Sequence, residues 1–249
     1  MKKTLAILLA ATGMAMGATP LELNWNDNEA NLTKDANNND ISYDNGPLSN
    51  SISVAVTLNW DAMMNAAKTN GTSIFEIGMS NNTNQGLCVY SGGSKYIDAW
   101  LNNADFPDYY SEDTGISIKY SSLTDVSTAA LVFTSYHGSK SVTTYFDATL
   151  YLWDKDGNLI TTMKNDDGIE SYSNSLNGAS IQNIAFNQNF VENIAVYNQY
   201  IYGDEALAAA TAVTFPSAPT PGDGNIPEPT TATLSLLALA GLAARRRRR

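Results

Sequence analysis

The stretch Ile52-Ser-Val-Ala-Val-Thr-Leu-Asn-Trp60 decides the fold class. Ile52, Val54, Val56, Leu58 and Trp60 alternate with Ser53, Ala55, Thr57 and Asn59. Successive side chains of a strand point to opposite sides of a sheet, so a period of two predicts a strand with one buried face and one wet face. Trp60 then closes the core-facing set. Working outward, further strands are expected at Leu21 to Asn26, Thr72 to Ser80, Leu87 to Ser91, Gly115 to Ser121 and Ala129 to Tyr136. Four more follow at Phe146 to Trp153, Leu159 to Lys164, Ile181 to Asn187 and Val191 to Asn198. Segments rich in Asn, Gly, Asp and Ser separate them as turns. The clearest hairpin is Tyr151-Leu-Trp-Asp-Lys-Asp-Gly-Asn-Leu-Ile160, in which Asp156-Gly157 supplies the positive φ of a tight turn. Two short helices are expected, Asp61 to Thr69 with Asp61 as N-cap, and Asp204 to Thr211 with an acidic cap and a run of alanines. Many strands and few helices predict an all-β antiparallel sandwich or jelly roll.

Both ends of the chain fall outside that pattern. Lys2 and Lys3 precede the apolar stretch Leu5 to Ala11, and Ala15, Gly17 and Ala18 are small. This order predicts a secretory signal peptide over residues 1–18, cut after Gly17 or Ala18. At the other end, Pro227-Glu-Pro229 is followed by the apolar run Leu234 to Ala244 and then Arg245 to Arg249. The prolines hold the backbone extended and keep it out of helices and sheets. The run seeks a bilayer, and the arginines hold the C-terminus on the cytoplasmic side. It is shorter than the roughly 20 residues of a permanent span, which suits a temporary anchor. Residues 213–225 read as a Pro/Gly linker presenting this segment.

In that order, the parts of residues 226–249 resemble the PEP-CTERM sorting signal of Gram-negative bacteria. The resemblance implies cleavage near Pro227, Glu228 and Pro229 by an exosortase, transient anchoring in the inner membrane through the helix and Arg245, and release to the cell surface or extracellular matrix.

Of the 14 basic residues, seven lie in the two terminal signals; of the 25 acidic residues, only Glu228 does. The segment between them therefore carries about −17 and no arginine, a surface that repels nucleic acid and anionic membranes. It suits neutral polymers or divalent cations. Cys88 is the only cysteine, so no intrachain disulfide forms and the core must supply the stability. Between Leu87 and Val89 it reads as a small buried strand residue.

Two segments carry a second resemblance. Asp147 to Ile160 is similar to the strand, Asp-Gly hairpin and strand of laminin G-like domains with the concanavalin A-like jelly roll. Val191 to Leu207 is similar to that fold's closing strand, Tyr-Asn turn and acidic-capped helix. The resemblance implies a laminin G-like sandwich over residues 19–212. Glucanases on this fold carry closely spaced carboxylates, Glu-x-Asp-x-x-Glu, to flank one glycosidic bond. No such string occurs: Glu76 stands alone on an apolar strand, and Asp98 is distant in sequence. His137, the only histidine, reads as part of a hairpin turn rather than a general base.

A binding role is therefore expected. Trp100, Tyr109 and Tyr110 read as members of a polar loop with Asp105 and Asp108, where rings stack on sugars and carboxylates bond their hydroxyls. Folding of those rings onto the sandwich is the alternative. Asp154, Asp156 and Asn158 place oxygens at alternate positions, a spacing that suits calcium. Gly157 comes one residue too early for a calcium loop and no closing Glu follows, so a plain hairpin is the reading and calcium the alternative. Asp35 to Asp40 and Asp166 to Gly168 read as solvated acidic loops. The expected function is that of an exported, non-catalytic surface or matrix protein binding extracellular polysaccharide; a secreted carbohydrate-active hydrolase on the same scaffold is the alternative.

Overall fold

A computed structural model describes residues 18–43, 48–66, 72–80, 82, 84–91, 95–102, 117–119, 123–138, 144–164, 169–171 and 179–215, all within a unit that ends at Pro216. In chain order these form β1 (Trp25–Asn26), β2 (Glu29–Asn31), β3 (Leu48–Leu58), α1 (Trp60–Asn65), β4 (Thr72–Met79) and β5 (Asn84–Ser91). There follow β6 (Lys95–Asn102), β7 (Ser117–Lys119), β8 (Thr128–Gly138), β9 (Thr144–Trp153) and β10 (Leu159–Lys164). The last are β11 (Ile169–Ser171), β12 (Ile181–Phe186), β13 (Val191–Tyr197) and α2 (Gly203–Thr214).

Among the described residues the strands pair antiparallel into two sheets. One runs β1-β2-β12-β4-β5-β6-β7; the other runs β10-β9-β8-β3-β13, with β11 also on β9. Their apolar faces meet in one core, so the protein is mostly β and sandwich-like, with two short helices. The rings of Phe75 and Phe133 cross between the sheets edge to face at 5.5 Å, and Phe133 stacks on Phe146 at 5.7 Å.

The alternation in β3 sorts as the sequence predicts on one side: Ile52, Val54, Val56 and Leu58 lie in this core. The other side is not wet. Ser53, Ala55 and Thr57 are also buried. The reason is α2, which lies across the outer face of the six-stranded sheet. Ala206, Ala209, Ala210 and Val213 pack there against Ala55, Ala130, Val132, Tyr151 and Trp153 in a second core. Alanines let the helix approach closely, and hydroxyls absorb the polar contacts. The Thr57 hydroxyl donates to the Val213 carbonyl at 2.9 Å, near the helix end where carbonyls lack intrahelical donors. Ser53 donates to the Gln199 carbonyl at 2.8 Å, receives the Ile201 N–H at 3.1 Å and lies 2.7 Å from the Thr134 hydroxyl. These bonds pin the chain leading into α2. In β9, Leu150 and Leu152 belong to the main core, Tyr151 and Trp153 to the second.

Several boundaries differ from expectation. Trp60 is a core residue at 9% exposure, but it is the first residue of α1 rather than the end of the strand. Asn59 takes the N-cap instead of Asp61, its side chain accepting from the Ala62 N–H at 3.1 Å. Tyr202, not an acid, precedes α2, and the helix runs on to Thr214, into the first residues assigned to the linker. His137 lies in β8, paired with Ser49 and Thr144, and not in a turn. The rest of Leu21 to Asn26 is irregular, with only Trp25–Asn26 in a strand. Among the described residues no helix is long and apolar enough to cross a membrane.

Candidate functional site

An open cleft of about 770 Å³ lies where β4 and β12 meet the β1–β2 turn and the β12–β13 turn. Asp27, Asn28, Ser73, Glu76, Phe186 and Asn187 line it, with Gln188 and Asn189 at the β12–β13 turn. The topology brings these distant residues together. β12 sits between β2 and β4, pairing Ala185 with Glu29 on one side and with Glu76 on the other. Phe75 and Ile77 of β4 face the core, so Glu76 between them faces outward into the cleft.

The walls are held by backbone bonds. Asn28 and Phe186 clasp each other: the Asn28 side chain donates to the Phe186 carbonyl at 2.8 Å, and the Phe186 N–H donates to the Asn28 carbonyl at 3.0 Å. Asp27 takes a positive φ of 55° in the turn beside it. The Asn187 N–H donates to the Ile74 carbonyl at 2.9 Å, while its side-chain oxygen accepts the Asn189 N–H at 3.0 Å. Trp25 packs edge-on against Phe186 at 5.4 Å and stiffens the floor. The Ser73 hydroxyl is buried at the cleft wall with no hydrogen-bond partner among the described residues.

Among the described residues the lining thus offers two carboxylates and amides, and no cation. Such a set bonds the hydroxyls of a neutral polyol and disfavours an anion. The adjoining sheet surface continues the pattern. Asn31, Asn183, Gly78, Asn84 and Asn102 lie on one cross-strand row. A Cβ at Gly78 would run into the Asn183 amide, so glycine there gives the amide its place.

Of the predicted binding residues, Trp100 lies in β6 and not in a loop; it pairs with Gly86, which pairs with Glu76. The backbones of Trp100 and Glu76 are therefore roughly 10 Å apart, two strand spacings. Tyr109 and Tyr110 lie outside the described residues, as do Gly17, Pro227, Glu228, Pro229 and Arg245. Ala18 is described, half-buried and packed against the second core. Asp27 and the amides of the β12–β13 turn escaped sequence reasoning; the one signal was Asn density at predicted turns.

Asp166 to Gly168 lie outside the described residues; the other two acidic loops are bonded into themselves. Asp154 accepts the N–H groups of Asp156 and Asn158, each at 2.9 Å, and Gly157 takes φ 79°. Asp35 accepts from Asn37 and Asn39 in the same way, at 2.9 and 2.8 Å, with Asn38 at φ 67°. Bonds from Asn158 and Asn39, respectively, hold both carboxyls below the ordinary value. Among the described residues no group of three or more His, Cys, Asp or Glu side chains could hold a metal ion. No protein-family model matches the chain, and no curated protein matches it significantly.

Proposed function

We propose that this is an exported, non-catalytic cell-surface or matrix protein whose laminin G-like jelly roll binds neutral extracellular polysaccharide. The observation that carries the binding reading is the open cleft lined by amides and two carboxylates, with Phe186 at its floor. The non-local pairing of β12 between β2 and β4, and of β13 with β3, supports the jelly-roll reading. Export and sorting rest on the terminal signals: a signal peptide cut near Gly17 or Ala18, then an exosortase-like enzyme acting at Pro227, Glu228 and Pro229.

One observation favours the hydrolase alternative: Asp27 and Glu76 line the same cleft, and glycosidases use two carboxylates across one bond. A glycan array on the full chain, in a detergent without a sugar headgroup and with or without calcium, tests the proposal. Retention of neutral glycans, weakened by Glu76→Gln, is expected. Retention of polyanions alone would overturn it.

A further inference from the structure

The six-stranded sheet carries an aromatic cluster on the side of the molecule opposite the cleft. On β8, Ala130 and Val132 face the second core, and Tyr136 has their parity. Tyr200 packs edge-on against Tyr136 at 4.8 Å, and Tyr202 stacks on Tyr200 at 5.1 Å with 27° between the rings. Tyr202 remains 61% exposed, the most exposed large apolar side chain among those described. Asp147 lies at the rim, its carboxylate 3.5 Å from the Tyr200 hydroxyl.

Folding does not explain Tyr202. It occupies the N-cap of α2 and makes no side-chain capping bond. That position favours Ser, Thr, Asp or Asn, whose side chains satisfy a free helix N–H. A large exposed aromatic there gives up the cap and buries little in return. Residues that break a local rule without a folding gain are expected at functional surfaces.

We propose that Tyr202, backed by Tyr200 and Tyr136, is a second sugar-stacking surface, and that the protein bridges two segments of neutral polysaccharide. The proposal rests on the reading that the cleft binds neutral glycan. The exposed ring offers its face to the C–H side of a pyranose, and the Asp147 carboxylate at the rim disfavours an anionic polymer. A cationic peptide would need several ring faces open around it, whereas Tyr200 is occupied by Tyr202 and Tyr136.

The test uses the full chain in a detergent without a sugar headgroup. Affinity and light scattering are read with the long-chain form of the strongest neutral hit from a glycan array, with alginate and polylysine as charged controls. Wild type is expected to cross-link the neutral chains. Tyr202→Ala should still bind through the cleft but lose cross-linking, with affinity for the long chain about tenfold weaker. Tyr202→Phe should retain both properties, and equal melting curves would show that the fold is intact. Cross-linking by Tyr202→Ala at the wild-type level would overturn the bridging proposal alone, as would polylysine binding that depends on Tyr202. Failure of wild type to hold any neutral glycan would overturn the cleft reading as well.

Discussion

Replacing Thr57 by Val tests whether the outer face of β3 is buried. The two side chains have nearly the same shape, so the change removes a hydroxyl and leaves the packing close to intact. That hydroxyl is 3% exposed with its residue, donates to the Val213 carbonyl at 2.9 Å and lies 3.4 Å from the Thr214 hydroxyl. Val213 is in the last turn of α2, so its carbonyl has no substitute donor within the helix. Leaving a buried acceptor unpaired costs about 1–3 kcal/mol. Denaturant unfolding should show a lower midpoint with an unchanged slope, because the surface exposed on unfolding hardly changes. The sign is decisive. On a solvated strand face, Thr→Val would be neutral or slightly stabilising, since Val suits strands at least as well. An unchanged or raised midpoint would refute the docking of α2 on this sheet.

Four further outcomes follow, three from the structure and one from the sequence. Burial pushes the Tyr197 and Tyr200 hydroxyls up to about 12 from an ordinary 10.0, with the Asp147 charge adding to the effect at Tyr200. A raised folded value means that this stability is complete below pH 10 and is lost between pH 10 and about 12; absorbance at 295 nm should show these phenols titrating together with unfolding. The lowered Asp35 and Asp154 carboxyls act oppositely, stabilising their loops above the ordinary value of 3.8 and releasing them as pH falls, which amide exchange of residues 35–39 and 154–158 would register. Cys88 is buried on β5, so a thiol reagent should label it only as fast as the protein opens; rapid labelling of the folded chain would contradict its burial. Intact-mass analysis of protein from the host surface should show loss of the segment after Pro227-Glu-Pro229, and a mature form that keeps Arg245 would sink the sorting proposal.

Much of the sandwich was legible because period-two patterns survive wherever one face meets the core. Leu159–Lys164 matches the expected strand, and β4, β12 and β13 end within a residue of expectation. The wet face of β3 was misjudged because its cover, α2, lies about 150 residues away in sequence. Ser, Ala and Thr look alike whether they meet water or a helix of alanines. β6 was missed because Tyr96, Asp98 and Trp100 alternate with Ile97, Ala99 and Leu101, so neither face reads as plainly polar. β2 is three residues long and carries a single apolar side chain. The cleft was hidden for a different reason. Glu76 appeared alone because its companion Asp27 is 49 positions earlier, and only the insertion of β12 between β2 and β4 brings them to one wall.

The most direct test of non-catalytic glycan binding is to incubate the full chain with the neutral oligosaccharide that an array selects, and to follow binding heat and new reducing ends in the same sample. Saturable binding with no new reducing ends is predicted, with weaker binding for Glu76→Gln and Asp27→Asn. Reducing ends that accumulate with wild type and vanish with either variant would contradict the account and make the Asp27–Glu76 cleft an active site.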